Sequence, residues 1–176
     1  MTEQISGLRG QERVTIRNPR SLAQVGAWKE TIEVVEQQIA SLLGTSLPSK
    51  QGHSITNDEK LVMTIAPGTF IVESDEPDVA AKLATVIRPD KGTVTDLTDA
   101  RAALNIAGKG AESVLSTGLA IDLSLLEFPV HRVTQTGFDG IGVIIRRVAE
   151  QEFDLYVYAS FAQALRDWLT EAGNRN

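Results

Sequence analysis

Phe153-Asp154-Leu155-Tyr156-Val157 is followed, two residues later, by Ser160-Phe161-Ala162-Gln163-Ala164-Leu165-Arg166-Asp167-Trp168-Leu169, and the apolar period changes between the two stretches. Phe153, Leu155 and Val157 alternate, which predicts a strand. Phe161, Ala164, Leu165, Trp168 and Leu169 fall at i, i+3, i+4, i+7 and i+8, which predicts an amphipathic helix with Ser160 as its N-cap. A one-faced helix directly after a strand packs on a sheet, and the sequence upstream supplies further strands for it.

Working back, Phe138-Asp139-Gly140-Ile141 holds an Asp-Gly pair that accepts positive φ, so a hairpin joins a strand ending near Gly137 to one over 141–148. Further upstream, Arg101–Ala107 places Leu104 and Ile106 on one face of a strand. Gly108-Lys109-Gly110 then turns the chain into a short helix containing Ala111, Val114 and Leu115. The second half is thus read on a strand-helix-strand-strand-helix plan, with the 153–157 strand added to its hairpin.

The first half repeats the plan. Arg13-Val14-Thr15-Ile16-Arg17 alternates as a strand and stops at Asn18-Pro19. From Trp28 the spacing of Ile32, Val35, Ile39 and Leu42 predicts a helix that Gly44 ends. Residues 45–59 read as a loop in which His53-Ser54-Ile55 is at most an edge strand. Ala66-Pro67-Gly68-Thr69 turns a hairpin between Leu61-Val62-Met63-Thr64-Ile65 and Phe70-Ile71-Val72. A second helix follows, with Ser74 or Asp75 as cap, Pro77 in its first turn and Val79, Leu83 and Val86 on one face. The expected fold is α+β: two similar strand-helix-strand-strand-helix subdomains, 11–90 and 91–173, within one globular chain spanning 1–176. Val94-Thr95-Asp96-Leu97 is expected to be the strand joining them. The polar, aperiodic ends read as loose.

Composition limits the function. With 176 residues, 42% of them apolar, the chain can bury a core without covalent or metal staples. It has no cysteine, which excludes disulfides, thiolate nucleophiles and thiolate metal sites. The formal charge of −6 and a pI of about 5.0 disfavour a phosphate backbone as partner. Arg9, Arg13, Arg17 and Arg20 are the nearest approach to a basic patch and read as a solvated edge strand, or as a face for an acidic partner subunit. Absence of a basic-apolar leader and of a long apolar run leads to the expectation of a soluble, cytoplasmic protein.

No motif carries chemistry by itself. Gly108-Lys109-Gly110 sits where a phosphate turn would, but a dinucleotide fingerprint needs glycine where Ser113 stands, and a P-loop needs Ser or Thr where Gly110 stands. His53 and His131 lack metal-ligand spacing and have no nucleophile elbow beside them. Asp96 and Asp99, before Arg101, suit turn hydrogen bonds or an Asp–Arg pair, and Asp122 suits the cap of a turn. Trp28 and Trp168 lie on apolar stripes and are expected in the core, with docking onto another chain as the alternative. No catalytic, cofactor-binding or metal-binding residue is assigned, and roles for His131, Asp96 and Asp122 beyond structure stay open.

Taken in order, Val94-Thr95-Asp96-Leu97, Leu119-Ala120-Ile121-Asp122-Leu123, Phe128-Pro129, Gln135-Thr136, Phe153-Asp154-Leu155-Tyr156-Val157 and the Ser160 to Leu169 helix resemble the gamma subunit of heterotetrameric sarcosine oxidase. The resemblance is strongest over 93–171 and looser around the Trp28 helix and Ile65-Ala66-Pro67-Gly68-Thr69-Phe70-Ile71-Val72. It implies a fold similar to the folate-binding domain of the glycine-cleavage aminomethyltransferases. It also implies a non-catalytic subunit supporting an alpha subunit, in company with beta and delta. The complex in that family oxidises sarcosine to glycine, yields formaldehyde or methylene-tetrahydrofolate, and reduces oxygen to hydrogen peroxide. FAD, FMN, NAD and tetrahydrofolate are implied in the larger subunits and zinc in delta, with none bound by this chain. The alternative is a free-standing folate-binding or one-carbon transfer domain.

Overall fold

The computed structural model describes residues 12–57 and 59–175. The chain divides into two units: one takes the chain up to Asn18 and again from Arg101 onward, and the other is Pro19–Ala100. The sequence-based division at residue 90 is therefore drawn differently by strand pairing. The strand β1 (Arg13–Arg17) pairs along its whole length with Arg101–Ala107 and so belongs with the second half.

In the Pro19–Ala100 unit, β2 (Ser21–Ala27) leads into a 3-10 turn (Lys29–Thr31) and α1 (Ile32–Leu43). Three strands follow, β3 (His53–Asn57), β4 (Lys60–Ala66) and β5 (Thr69–Ser74), then α2 (Val79–Val86) and β6 (Gly92–Asp96). The sheet is antiparallel in the order β3-β4-β5-β2-β6. Val35, Ile39 and Leu43 of α1 and Val79 and Leu83 of α2 meet Val25, Val62, Phe70 and Val72 in one apolar cluster. Gly44, at φ 65°, ends α1 in the left-handed conformation that its sequence position suggested.

The other unit runs β7 (Arg101–Ala107), α3 (Ala111–Ser116), β8 (Val133–Phe138), β9 (Ile141–Ala149), β10 (Glu152–Tyr158) and α4 (Ala159–Arg175). Its antiparallel order is β1-β7-β10-β9-β8. The expected Asp139-Gly140 turn is present, with φ 44° and 84°. Val114 and Leu115 of α3 and Ala162, Leu165 and Leu169 of α4 pack on Leu104, Ile106, Phe153, Leu155 and Val157. Written from the β8 end, this order is β8-β9-β10-β7-β1, which matches β3-β4-β5-β2-β6 strand for strand. The duplication is thus real, with three strands rather than two between the helices. The position that β6 fills after α2 is filled in the other unit by β1, from the opposite end of the chain.

Several expectations are corrected. β2 was missed because Ser21, Leu22, Ala23 and Val25 are all buried, so no clean alternation marks it. The 94–97 segment is no joining strand; β6 pairs along β2 as an edge of that sheet. His53-Ser54-Ile55, read as at most an edge strand within a loop, does form one, pairing with β4 at the edge of the sheet. Ser74 and Asp75 do not cap α2: its first amide, on Val79, donates instead to the buried Ser21 hydroxyl at 2.8 Å. Trp28 precedes the 3-10 turn in an extended conformation, 46% exposed, its indole donating to the Pro89 carbonyl at 3.0 Å. The buried stripe of α4 runs through Ala162, Leu165, Leu169 and Ala172, leaving Phe161 44% exposed. Two overlapping stripes fit that sequence, and the structure buries the one that holds Ala162.

Candidate functional site

Arg146 and Arg147 are neighbours on β9 and therefore project to opposite faces of the sheet. Both are buried; the strand register supplies the carboxylate partner of Arg146, whereas α3 and two connections supply the hydrogen-bond partners of Arg147. Arg146, Asp154 and Asn105 stand directly opposite one another across β9, β10 and β7. The Arg146 guanidinium donates to Asp154 Oδ2 at 2.8 Å, and Asn105 Nδ2 donates to Asp154 Oδ1 at 2.9 Å and to Glu152 Oε1 at 2.9 Å. From β1, Arg17 approaches Asp154 Oδ2 at 3.6 Å and donates to the Tyr156 hydroxyl at 3.1 Å. Both oxygens of Asp154 are engaged, and the residue is 4% exposed. A general base must reach a substrate proton. Asp154 is instead a brace across four strands.

Arg147 points to the helix-covered face, where its side chain is fully buried. It lies 4.4 Å above the centroid of Phe153 and donates to Leu123 O, Glu150 O and Glu112 Oε2, the last at 3.1 Å. One guanidinium thus joins α3, the 117–132 connection and the β9–β10 turn, a role that its planar fork of five donors suits. Above this tie lies a cavity of about 450 Å³ lined by Gly108, Lys109, Glu112, Ser113, Leu125 and Glu150, among others.

That cavity places the Gly108-Lys109-Gly110 turn beside Glu112 and Glu150, an acidic neighbourhood unsuited to phosphate. Asp96 accepts from the Thr98 hydroxyl at 2.7 Å and amide at 2.9 Å, and these bonds hold its pKa below the ordinary value. The Ser124 amide at 2.8 Å, with the Ser124 hydroxyl, does the same for Asp122. Both carboxylates close turns, as expected, and Asp99 is exposed. His131 is exposed with φ 70°, its amide bonded to Arg147 O, and His53 Nδ1 lies 3.1 Å from Gln51 O. Among the described residues no group of three or more His, Asp or Glu side chains is placed to hold a metal ion. Trp168 packs edge-on against Phe138 at 4.8 Å, partly buried. Of the arginines, Arg9 lies outside the described residues, Arg13 and Arg20 are exposed, and Arg17 joins the Asp154 brace.

The charged pairs were the feature that sequence reasoning missed, although a signal existed. Arg146-Arg147 interrupts an apolar run and Asp154 sits inside another. A charge in a central strand has to be paired. Aligning 141–149 with 152–158 as a hairpin would have set Arg146 against Asp154.

Comparison with known proteins follows the same line. The chain is 28% identical over 166 residues to sarcosine oxidase subunit gamma of Corynebacterium sp. (strain U-96), covering 93% of this chain and 80% of that one. It is 27% identical over 161 residues to the gamma subunit of an Arthrobacter species, covering 90% and 79%. Among solved structures it is similar to a chain of the heterotetrameric sarcosine oxidase from Corynebacterium sp. U-96 in complex with pyrrole 2-carboxylate, with a TM-score of 0.78, 26% identity and coverage of 96% and 87%. The glycine cleavage system aminomethyltransferase T from Bartonella henselae shares the fold, with a TM-score of 0.65 at 18% identity, 92% of this chain matching 46% of that one. The resemblance read from the sequence is borne out, as is the α+β fold similar to the aminomethyltransferase domain. Residues 33–176 match the model of the GCVT N-terminal domain, and the chain belongs to that family.

Proposed function

We propose that this chain is the gamma subunit of a heterotetrameric sarcosine oxidase, assembled with alpha, beta and delta subunits. It supports the alpha subunit while the complex oxidises sarcosine to glycine, with formaldehyde or methylene-tetrahydrofolate and hydrogen peroxide as the other products. One observation carries this reading: the likeness to sarcosine oxidase gamma subunits runs over nine-tenths of the chain, in sequence and in backbone together. The geometry supports a scaffolding role. The buried carboxylate of Asp154 is bound on both oxygens inside its sheet, and the Arg147 guanidinium is bound to three segments of its own unit. FAD, FMN, NAD, tetrahydrofolate and zinc then belong to the other subunits, and the complex works in the cytoplasm. No helix among the described residues is long and apolar enough to cross a membrane, which is compatible with that location.

Co-expression with the cognate alpha, beta and delta chains tests the proposal. A complex containing this chain in equimolar amount, with sarcosine-dependent oxygen consumption, is the expected result. A chain that elutes alone in their presence overturns it. Calorimetric titration of the isolated chain with tetrahydrofolate is expected to show no saturable heat, whereas saturable binding would favour a free-standing folate domain.

A further inference from the structure

The segment that Arg147 ties down displays two adjacent leucines. Leu123 and Phe128 are buried, whereas Leu125 is 47% and Leu126 87% exposed. They are not on slack chain. Asp122 Oδ1 accepts from the Ser124 amide at 2.8 Å, Ser124 O accepts from the amides of Phe128 at 2.8 Å and Glu127 at 3.2 Å, and Leu123 O accepts from the buried guanidinium. A closed turn therefore holds the leucines outward, and little conformational freedom is left for a partner to remove. Leu125 also lines the 450 Å³ cavity beside Glu112 and Glu150. Asp122, Glu127 and Glu150 are exposed around this site, and Lys109 is the exposed cation on the cavity wall.

We propose that the Leu125-Leu126 turn and its adjoining cavity are the surface by which this chain docks onto a larger subunit, entering an apolar pocket whose rim presents lysine or arginine. The proposal rests on the gamma-subunit reading and names the face involved. Charge selects this occupant over two others. A second copy related by a two-fold axis would set Asp122, Glu127 and Glu150 against the same residues. An anionic lipid surface would repel the same carboxylates. A basic rim accepts them, and the cavity can receive one of its cationic side chains between Glu112 and Glu150.

The test uses the full-length chain and the complex of its cognate subunits. Calorimetry is carried out on the wild type, Leu126→Asp, Glu150→Lys and the control Phe161→Asp, which alters another exposed apolar residue. Leu126→Asp is expected to weaken association about 30-fold or more, or about 2 kcal/mol at roughly 1.4 kcal/mol per decade. Glu150→Lys is expected to weaken it about tenfold at low salt and less at high salt, and Phe161→Asp by less than about threefold. Unchanged melting curves would show that each variant is folded, as their surface positions lead one to expect. If wild type assembles and Leu126→Asp binds within about threefold of it, this surface is wrong while the subunit reading stands. If wild type does not assemble, both fall. Self-association of wild type that Leu126→Asp abolishes would overturn the choice of partner in favour of a second copy.

Discussion

Replacing Arg147 with methionine isolates the work of its guanidinium, because the new side chain keeps an unbranched buried stem and removes the group over Phe153 together with its three hydrogen bonds. The ion pair is worth little: Glu112 is 44% exposed, so water competes for it, and its share is under about 1 kcal/mol. The carbonyls matter more, since a hydrogen bond from a charged donor is worth about 1.5–3 kcal/mol. Leu123 is buried and its oxygen has no ready substitute, whereas Glu150 is exposed and its oxygen can rehydrate. Against these stands the relief of no longer desolvating one cation, several kcal/mol in favour of the variant. The balance is a loss of about 1–3 kcal/mol for Arg147→Met. For Arg147→Ala it is about 3–5 kcal/mol, because the packing of the fully buried stem also goes. Urea unfolding measures both, and hydrogen exchange over residues 117–130 locates the effect. That segment should exchange at least tenfold faster in Arg147→Met while β7 and β10 change in proportion to global stability alone. If Arg147→Met lies within about 0.5 kcal/mol of wild type and leaves exchange in 117–130 unaltered, the guanidinium is no tie and the reasoning fails.

Three further outcomes are expected. Asp154→Ala strands Arg146 in the sheet without its carboxylate and should cost about 3–5 kcal/mol, a melting temperature lower by roughly 6–15 °C in calorimetry; a shift below about 2 °C would contradict the brace. A Cβ on Gly118 would lie 2.5 Å from the Phe138 ring, itself held edge-on by Trp168, so Gly118→Ala should cost about 1–3 kcal/mol, whereas Gly142→Ala meets nothing within 4 Å and should be near neutral in the same melts. Asp96 has its carboxyl pKa lowered by the Thr98 hydroxyl and amide, so it contributes stability above its ordinary value of 3.8 that is lost as pH falls through the folded value. In Thr98→Val the amide bond remains, and an NMR titration should show the Asp96 midpoint rising part of the way toward 3.8; an unmoved midpoint would refute the assignment.

Much of the fold was legible because it is written in local signals. Asp139-Gly140, Ala66-Pro67-Gly68-Thr69 and Gly44 each state a backbone conformation that their sequence demands, and the structure uses all three. What stayed hidden depends on residues far apart in the chain. β2 lost its alternation because Leu22 is buried on the face opposite Ser21, Ala23 and Val25, so four of its first five residues are buried and only Gln24 is exposed. The cap of α2 comes from Ser21, 58 positions upstream of Val79, where no window of sequence would search for it. Trp28 reads as core from its place on the apolar stripe, yet it lies before the helix in extended backbone, exposed, with its indole donating to the Pro89 carbonyl. The turn carboxylates Asp96 and Asp122 were readable because an Asx turn spans two residues. Arg146, Arg147 and Asp154 were not, because their meaning appears only once β9 and β10 are laid side by side.

The pairing of β1 with β7 also orders events in time. During synthesis from the N-terminus, β1 leaves the ribosome more than 80 residues before its hydrogen-bonding partner, and the whole Pro19–Ala100 unit can close in the interval. Loop length itself is a small penalty, since closure entropy grows only with the logarithm of the span. The heavier constraint is that β10, the middle strand of the waiting sheet, is the last of its five strands to be made, so β1–β7 and β8–β9 remain two separate ribbons until Glu152–Tyr158 has emerged. A chain interrupted before Glu152 keeps the Pro19–Ala100 unit and exposes the open edges of two half-sheets, a form with unpaired backbone that proteolytic surveillance can recognise.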